Sequence, residues 1–195
     1  MIDRDGVVNR NVAGGYVMTW RQFEFLAGAR EALAILHEAG LPVAVVSNQA
    51  GVAKGVVARA ALADITRRMA AELRAAGGEV AGVYYCTHSK EAGCGCRKPQ
   101  PGLLRAAAAD LGLCLEESYL VGDAASDVAA GRAVGATTVL VLTGRTSRSH
   151  LRAWPSAARP DFVCDDLLGA ARLIVRRPAA HGDPQPTAGD RCNSV

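Results

Sequence analysis

Short runs rich in β-branched residues alternate with longer stretches that carry apolar residues at helical spacing, and this alternation restricts the chain to very few folds. Val43 to Val46, Val80 to Tyr85, Tyr119 to Val121 and Thr138 to Leu142 read as buried strands bounded by turn signals. Between them, Ala29 to Ala39, Ala58 to Ala76, Gly102 to Leu111 and Ser126 to Val134 read as helices, several closing on glycines such as Gly40, Gly77 and Gly112. Phe162-Val163 followed by Leu167 to Val175 forms a last strand and helix. The expected fold class is α/β: a three-layer, Rossmann-like parallel sheet with helices on both faces and right-handed crossovers. A length of 195 residues with 50% hydrophobic content supports one core, so a single domain over residues 1–175 is expected. After Arg177 the composition turns to Pro, Gly, His and Asp, and residues 176–195 are expected to be a disordered tail.

Charge and composition exclude several classes of partner. A net charge of +3 with scattered arginines gives no basic face for nucleic acid, and 5% aromatic content supplies few stacking platforms. No apolar run reaches membrane-spanning length, and the start lacks a secretory pattern, so a cytoplasmic, monomeric protein acting on a small anionic substrate is expected. In that reducing compartment, six cysteines favour metal binding over disulfides where they cluster. Cys86, Cys94 and Cys96 cluster; Cys114, Cys164 and Cys192 do not, and His37, His150 and His181 have no such neighbours.

In open parallel sheets, ligands bind at the carboxyl ends of the strands. Each polar motif of this chain falls at such an end. Asp3 and Asp5 follow the first strand, two apart on extended backbone and able to face one side. That pattern suits phosphoryl transfer: Asp3 as nucleophile, Asp5 as the acid that protonates the leaving oxygen and the base that then activates water. An isolated Asp-x-Asp is also compatible with a capped turn. Asp123 supplies a further carboxylate, or else an N-cap for the following helix; clustered carboxylates need a divalent cation, and Mg²⁺ suits a shell shared with phosphate and water. Asp127 either orients that centre or favours the helix N-terminus. Ser47-Asn48-Gln49 offers a hydroxyl and N–H groups to phosphate, and Arg97-Lys98 brings fixed positive charge, Lys98 on the transferring phosphoryl group and Arg97 as a fork for a second anion.

Cys86, His88, Cys94 and Cys96 carry the strongest local signal. Three thiols and an imidazole at short spacing make a closed tetrahedral donor set, the pattern of a structural Zn²⁺ site. Such an ion would act as a staple that aims Arg97 and Lys98, with Gly93 and Gly95 letting the chain turn tightly around it.

Read together, Asp3-x-Asp5-Gly-Val, Ser47-Asn48-Gln49, Lys98-Pro99 and Gly122-Asp123-x-x-x-Asp127 resemble the four motifs of the haloacid-dehalogenase-like (HAD) phosphatases. Asp-Arg-Asp-Gly-Val-Val-Asn, Gly15-Tyr16-Val17, Phe23-Glu24-Phe25, the Ser-Asn-Gln-Ala-Gly-Val-Ala-Lys-Gly run, Tyr84-Tyr85-Cys86 and Cys-x-Cys-Arg-Lys-Pro-x-Pro-Gly narrow the resemblance to the D-glycero-D-manno-heptose-1,7-bisphosphate 7-phosphatase family, over residues 1 to about 175. The resemblance implies a nearly capless enzyme that uses Mg²⁺ and structural Zn²⁺ and removes the 7-phosphate of a heptose bisphosphate. It implies catalytic roles for Asp3, Asp5, Ser47 and Lys98, Mg²⁺ binding by Asp3, Asp5 and Asp123, and substrate contacts from Asn11, Gly15, Tyr16, Asn48, Gln49 and Arg97.

Three departures from the family pattern stand out. Only Met1 and Ile2 precede the nucleophile, so an apolar N-terminal extension is expected to stabilise the chain. Ala124 occupies the position of a usual lysine. The stretch from His88 to Cys94 is short and borders the substrate. Histidinol-phosphate phosphatase and a non-catalytic phosphosugar-binding protein of the same fold are the alternative functions.

Overall fold

The computed structural model describes residues 1–177; of the expected C-terminal tail, positions 178–195, with His181 and Cys192, lie outside the described residues. Among the described residues, five parallel strands form the sheet: β1 (Ala44–Asn48), β2 (Gly82–Cys86), β3 (Tyr119–Gly122), β4 (Thr137–Val141) and β5 (Phe162–Cys164). β1 pairs with β2, and β3 with β4 and β4 with β5, all in parallel register. The two halves are joined by the first residues of the chain. Ile2 bridges Val45 on one side and Val121 on the other, its N–H donating to the Ala44 carbonyl and the Asp3 N–H to that of Val121. The first strand is thus a single rung at the centre, giving the order β2, β1, Ile2, β3, β4, β5.

Side-chain alternation divides the core into two halves. Ile2, Val45, Val121, Val139 and Val141 face α1 (Ala29–Glu38), α2 (Arg59–Ala75) and α6 (Leu167–Arg176), whose Leu33, Leu36, Ile65, Met69, Leu73 and Ile174 bury the same face. Met1, Ala44, Val46 and Leu120 face the other way, against Leu103, Leu104 and Ala107 of α3 (Gly102–Leu111) and Ala130 of α4 (Ala125–Arg132). The strands therefore read as near-continuous apolar runs because both faces are covered. The strands and main helices fall where the sequence pattern puts them. The short α5 (Arg148–Arg152), held by the Ser147 hydroxyl accepting from the His150 N–H, has no apolar periodicity to announce it.

This topology brings the ends of the Ile2 rung, β1, β2, β3 and β4 to one edge of the sheet. The polar motifs meet there because each immediately follows its strand.

Candidate active site and metal centre

A cavity of about 660 Å³ opens at that edge, and Asp3, Ser47, Lys98 and Asp123 all line it. Lys98 is buried, and its ammonium binds Asp3 Oδ1 at 3.2 Å, Asp127 Oδ1 at 2.7 Å and the Val46 carbonyl at 2.7 Å. Burial works against this charge, yet Asp127 and Asp3 outweigh it and hold Lys98 above the ordinary lysine range. Burial also pushes the Asp3 carboxyl upward, opposed by Lys98 and by a hydrogen bond from Ser47. A nucleophile here stays ionised only while positive charge surrounds it.

Asp123 follows β3 and is 1% exposed. Its Oδ2 accepts from the Asn11 side-chain amide at 3.0 Å and from the Arg145 N–H at 2.7 Å. Two glycines make this approach possible. A Cβ on Gly6, whose φ is +88°, would stand 2.3 Å from that oxygen, and one on Gly144 would stand 1.9 Å away. Burial first, then Asp3 and Asp127, push the Asp123 carboxyl up to about 6. Carboxylate oxygens of Asp3, Asp123 and Asp127 lie within 4.8 Å of one another. Three hard oxygen donors gathered at mutual electrostatic cost, beside an open cavity, fit Mg²⁺.

The trio differs from the expected Asp3, Asp5 and Asp123. The Asp5 carboxylate lies outside it, held by Arg4 Nη2 at 2.9 and 3.0 Å, Arg4 Nε at 3.2 Å, the Asn9 amide at 2.9 Å and the Gln49 amide at 2.7 Å. Arg4 is fully buried and reaches it from within the core, over the Tyr85 ring. The Asp5 side chain is still 23% exposed and lines the cavity.

The expected substrate contacts separate into two groups. Tyr16, Asn48 and Arg97 line the cavity. Arg97 Nη1 is buried without a hydrogen-bond partner in the protein, so it has a donor to spare for an anion. The Asn48 amide is spent on main chain: it donates to the Lys98 carbonyl and accepts from the Lys98 N–H, both at 3.0 Å, tying the end of β1 to the loop after β2. Gln49, Asn11 and Gly15 do not line the cavity. Gln49 is buried, donating to Asp5 and Ser47 and accepting from Arg4 at 3.1 Å. Asn11 is turned to Asp123, and Gly15 is exposed.

Sequence reasoning passed over Arg4, Asn9 and the Thr143-Gly144-Arg145 turn. The last could have been found, since it follows β4 at the same edge of the sheet; its Thr143 hydroxyl donates to the Gly6 carbonyl at 2.7 Å.

Cys86, His88, Cys94 and Cys96 close into one cluster beside the cavity. Its edges are 3.6 Å from Cys86 Sγ to Cys94 Sγ, 3.5 Å from Cys94 to Cys96, 3.2 Å from His88 Nδ1 to Cys96 Sγ and 3.7 Å from Cys86 Sγ to His88 Nδ1. A tetrahedron with ion–sulfur bonds of about 2.3 Å has S···S edges of about 3.8 Å, so one ion at the centre fits. Desolvation opposes the Cys94 thiolate, but the Arg97 N–H and the Cys96 and Cys86 thiols bring its pKa down to about 6.

A HAD-hydrolase-like family model matches residues 95–170. The D-glycero-beta-D-manno-heptose-1,7-bisphosphate 7-phosphatase of Pseudomonas putida (strain KT2440) is 39% identical over 175 residues, covering 90% of this chain and 98% of that protein. The chain belongs to this HAD-like heptose-bisphosphate phosphatase family. Its members differ in anomer: the D-glycero-alpha-D-manno-heptose-1,7-bisphosphate 7-phosphatase of Mycobacterium tuberculosis (strain H37Rv) is 44% identical over 103 residues, 53% of this chain and 54% of that one. Among solved structures, the D,D-heptose 1,7-bisphosphate phosphatase from B. bronchiseptica, complexed with magnesium and phosphate, superimposes with a TM-score of 0.81 at 34% identity, covering 89% of this chain and 96% of that one.

Proposed function

We propose that this chain is a Mg²⁺-dependent phosphatase that hydrolyses the 7-phosphate of D-glycero-D-manno-heptose 1,7-bisphosphate through an aspartyl phosphate on Asp3. The observation that carries this reading is the placement of Asp3 at the centre of the sheet, bonded to Lys98 and sharing one cavity with Ser47 and Asp123.

Asp3 attacks phosphorus as the bond to the sugar O7 breaks, and Asp5 gives its proton to that oxygen. In the second half, Asp5 takes a proton from water, the resulting hydroxide attacks the aspartyl phosphate, and the P–O bond to Asp3 breaks to release inorganic phosphate. Lys98 and Ser47 hold the equatorial oxygens throughout. Bound Mg²⁺, held by Asp3 and Asp123, neutralises charge on the phosphoryl group and offsets the repulsion among the carboxylates. Arg97, with its unused donor, takes the second phosphate of the substrate.

The thiol and imidazole quartet holds a structural Zn²⁺ that fixes the loop carrying Arg97 and Lys98. We read the protein as acting as a monomer in the cytoplasm, where a reducing environment keeps the thiols of the quartet available to the ion.

Turnover measured on both anomers of the heptose bisphosphate and on histidinol phosphate, with Mg²⁺ and with EDTA, tests the reading. We expect turnover of one or both heptose anomers, lost in EDTA and in Asp3→Asn while binding survives in the variant. A clear preference for histidinol phosphate, or phosphate release by Asp3→Asn at the wild-type rate, would overturn it.

A further inference from the structure

The loop from Asn11 to Tyr16 is fastened at both ends to different parts of the site. At one end, the Asn11 amide donates to Asp123 Oδ2 at 3.0 Å, across 112 residues of sequence. The contact is close-packed: a Cβ on Gly6 would lie 2.5 Å from Asn11 Nδ2. Just before it, the backbone is held by the Arg10 N–H donating to the Glu24 carbonyl at 2.8 Å and by the Arg10–Glu24 ion pair. At the other end, Tyr16 lines the cavity. It packs so closely on Gly51 that a Cβ there would meet the ring at 2.9 Å, and Lys54 stands 5.7 Å from the ring centroid.

We propose that Asn11 is a positioning residue that acts on the reaction through Asp123, so that Mg²⁺ binding and the ordering of the 11–16 loop are coupled. Two donors, Asn11 and the Arg145 N–H, fix Oδ2 and so set which way the carboxylate presents Oδ1. Hydrogen-bonding partners of a metal ligand set its orientation in this manner, and their removal typically lowers metal affinity by about 10- to 100-fold. Coupling of this kind is reciprocal: a loop closed over bound substrate raises Mg²⁺ affinity by the factor with which Mg²⁺ favours the closed loop.

The inference rests on the assignment of Asp123 to Mg²⁺, and its test needs no substrate. Mg²⁺ is titrated calorimetrically into metal-free wild type, Asn11→Ala and Asp123→Asn, and amide hydrogen exchange over residues 12–17 is followed with and without the ion. We expect Asn11→Ala to raise the Mg²⁺ Kd by about tenfold or more. We also expect Mg²⁺ to slow exchange of residues 12–17 in wild type and to lose that effect in the variant. An unchanged Kd in Asn11→Ala would overturn the proposal by itself, and a KM for the bisphosphate found raised in a separate assay would then assign Asn11 to a direct substrate contact. Should Asn11→Ala not fold, the wild-type exchange decides alone, because insensitivity of residues 12–17 to Mg²⁺ refutes the coupling. If Asp123→Asn binds Mg²⁺ as wild type does, the metal assignment itself is wrong, an outcome distinct from failure of the coupling.

Discussion

Replacing Asp123 by asparagine should make the metal-free protein more stable while destroying its metal response. The carboxyl is buried beside Asp3 and Asp127 and titrates near 6 rather than 3.8. Its folded pKa is raised, so the fold favours the protonated form; the resulting stabilisation is present at low pH and is lost as pH rises through 6. Each pKa unit is worth about 1.4 kcal/mol, so the ionised group costs the metal-free fold about 3 kcal/mol at pH 7.5. Asparagine escapes this cost while its carbonyl oxygen still accepts from Asn11 and the Arg145 N–H. For a chain of this size, 3 kcal/mol corresponds to roughly 6 to 12 °C in Tm. The amide still has to be desolvated, which makes that range an upper bound. The assay is thermal unfolding of both proteins in EDTA at pH 7.5 and pH 5. The variant should melt higher at pH 7.5, and its advantage should fall to about half at pH 5, where each unit below 6 returns about 1.4 kcal/mol to the wild type. With Mg²⁺ at a hundred times its Kd, wild type should gain about 2.7 kcal/mol and the variant nothing, erasing or reversing the order. A variant that melts below wild type in EDTA, or an advantage indifferent to pH, would refute the reasoning that repulsion and burial at Asp123 are relieved only by the ion.

Other outcomes follow from the same geometry. Cys96→Ser should abolish stoichiometric zinc in elemental analysis and lower kcat/KM by about tenfold or more, since the chain leading to Arg97 and Lys98 loses its anchor; a zinc-free wild type would sink the assignment. Asn48→Ala removes both hydrogen bonds to the Lys98 main chain and strands its N–H, so unfolding in urea should show a loss of about 1 to 3 kcal/mol together with reduced kcat.

The sheet and its covering helices were legible because hydrophobic period and glycine punctuation are local properties: Val43 to Val46 announces a buried strand whatever lies beside it. The site was legible to the extent that topology alone assembles it. Once the strands are parallel, Asp3, Ser47, Lys98 and Asp123 must arrive at one edge, and the cysteines and His88 are close enough in sequence to find one another. What could not be read was the division of labour among neighbouring polar residues. Asp5, just after the Ile2 rung, and Asp127, in the first turn of α4, carry the same functional group, yet Arg4 binds one while Lys98 fixes the other in the carboxylate trio. The family resemblance implies substrate contacts for Asn11, Asn48 and Gln49, whose amides each offer a donor and an acceptor. Their partners prove to be a carboxylate 112 residues away, a main chain 50 residues away and a buried guanidinium 45 residues away. Such choices are made by three-dimensional competition for hydrogen bonds among buried groups, where an unpaired donor costs more than a mediocre partner yields. A sequence motif therefore brings the candidate reacting groups to one edge of the sheet, and only the packed structure shows which polar side chains face the cavity and which are spent on one another.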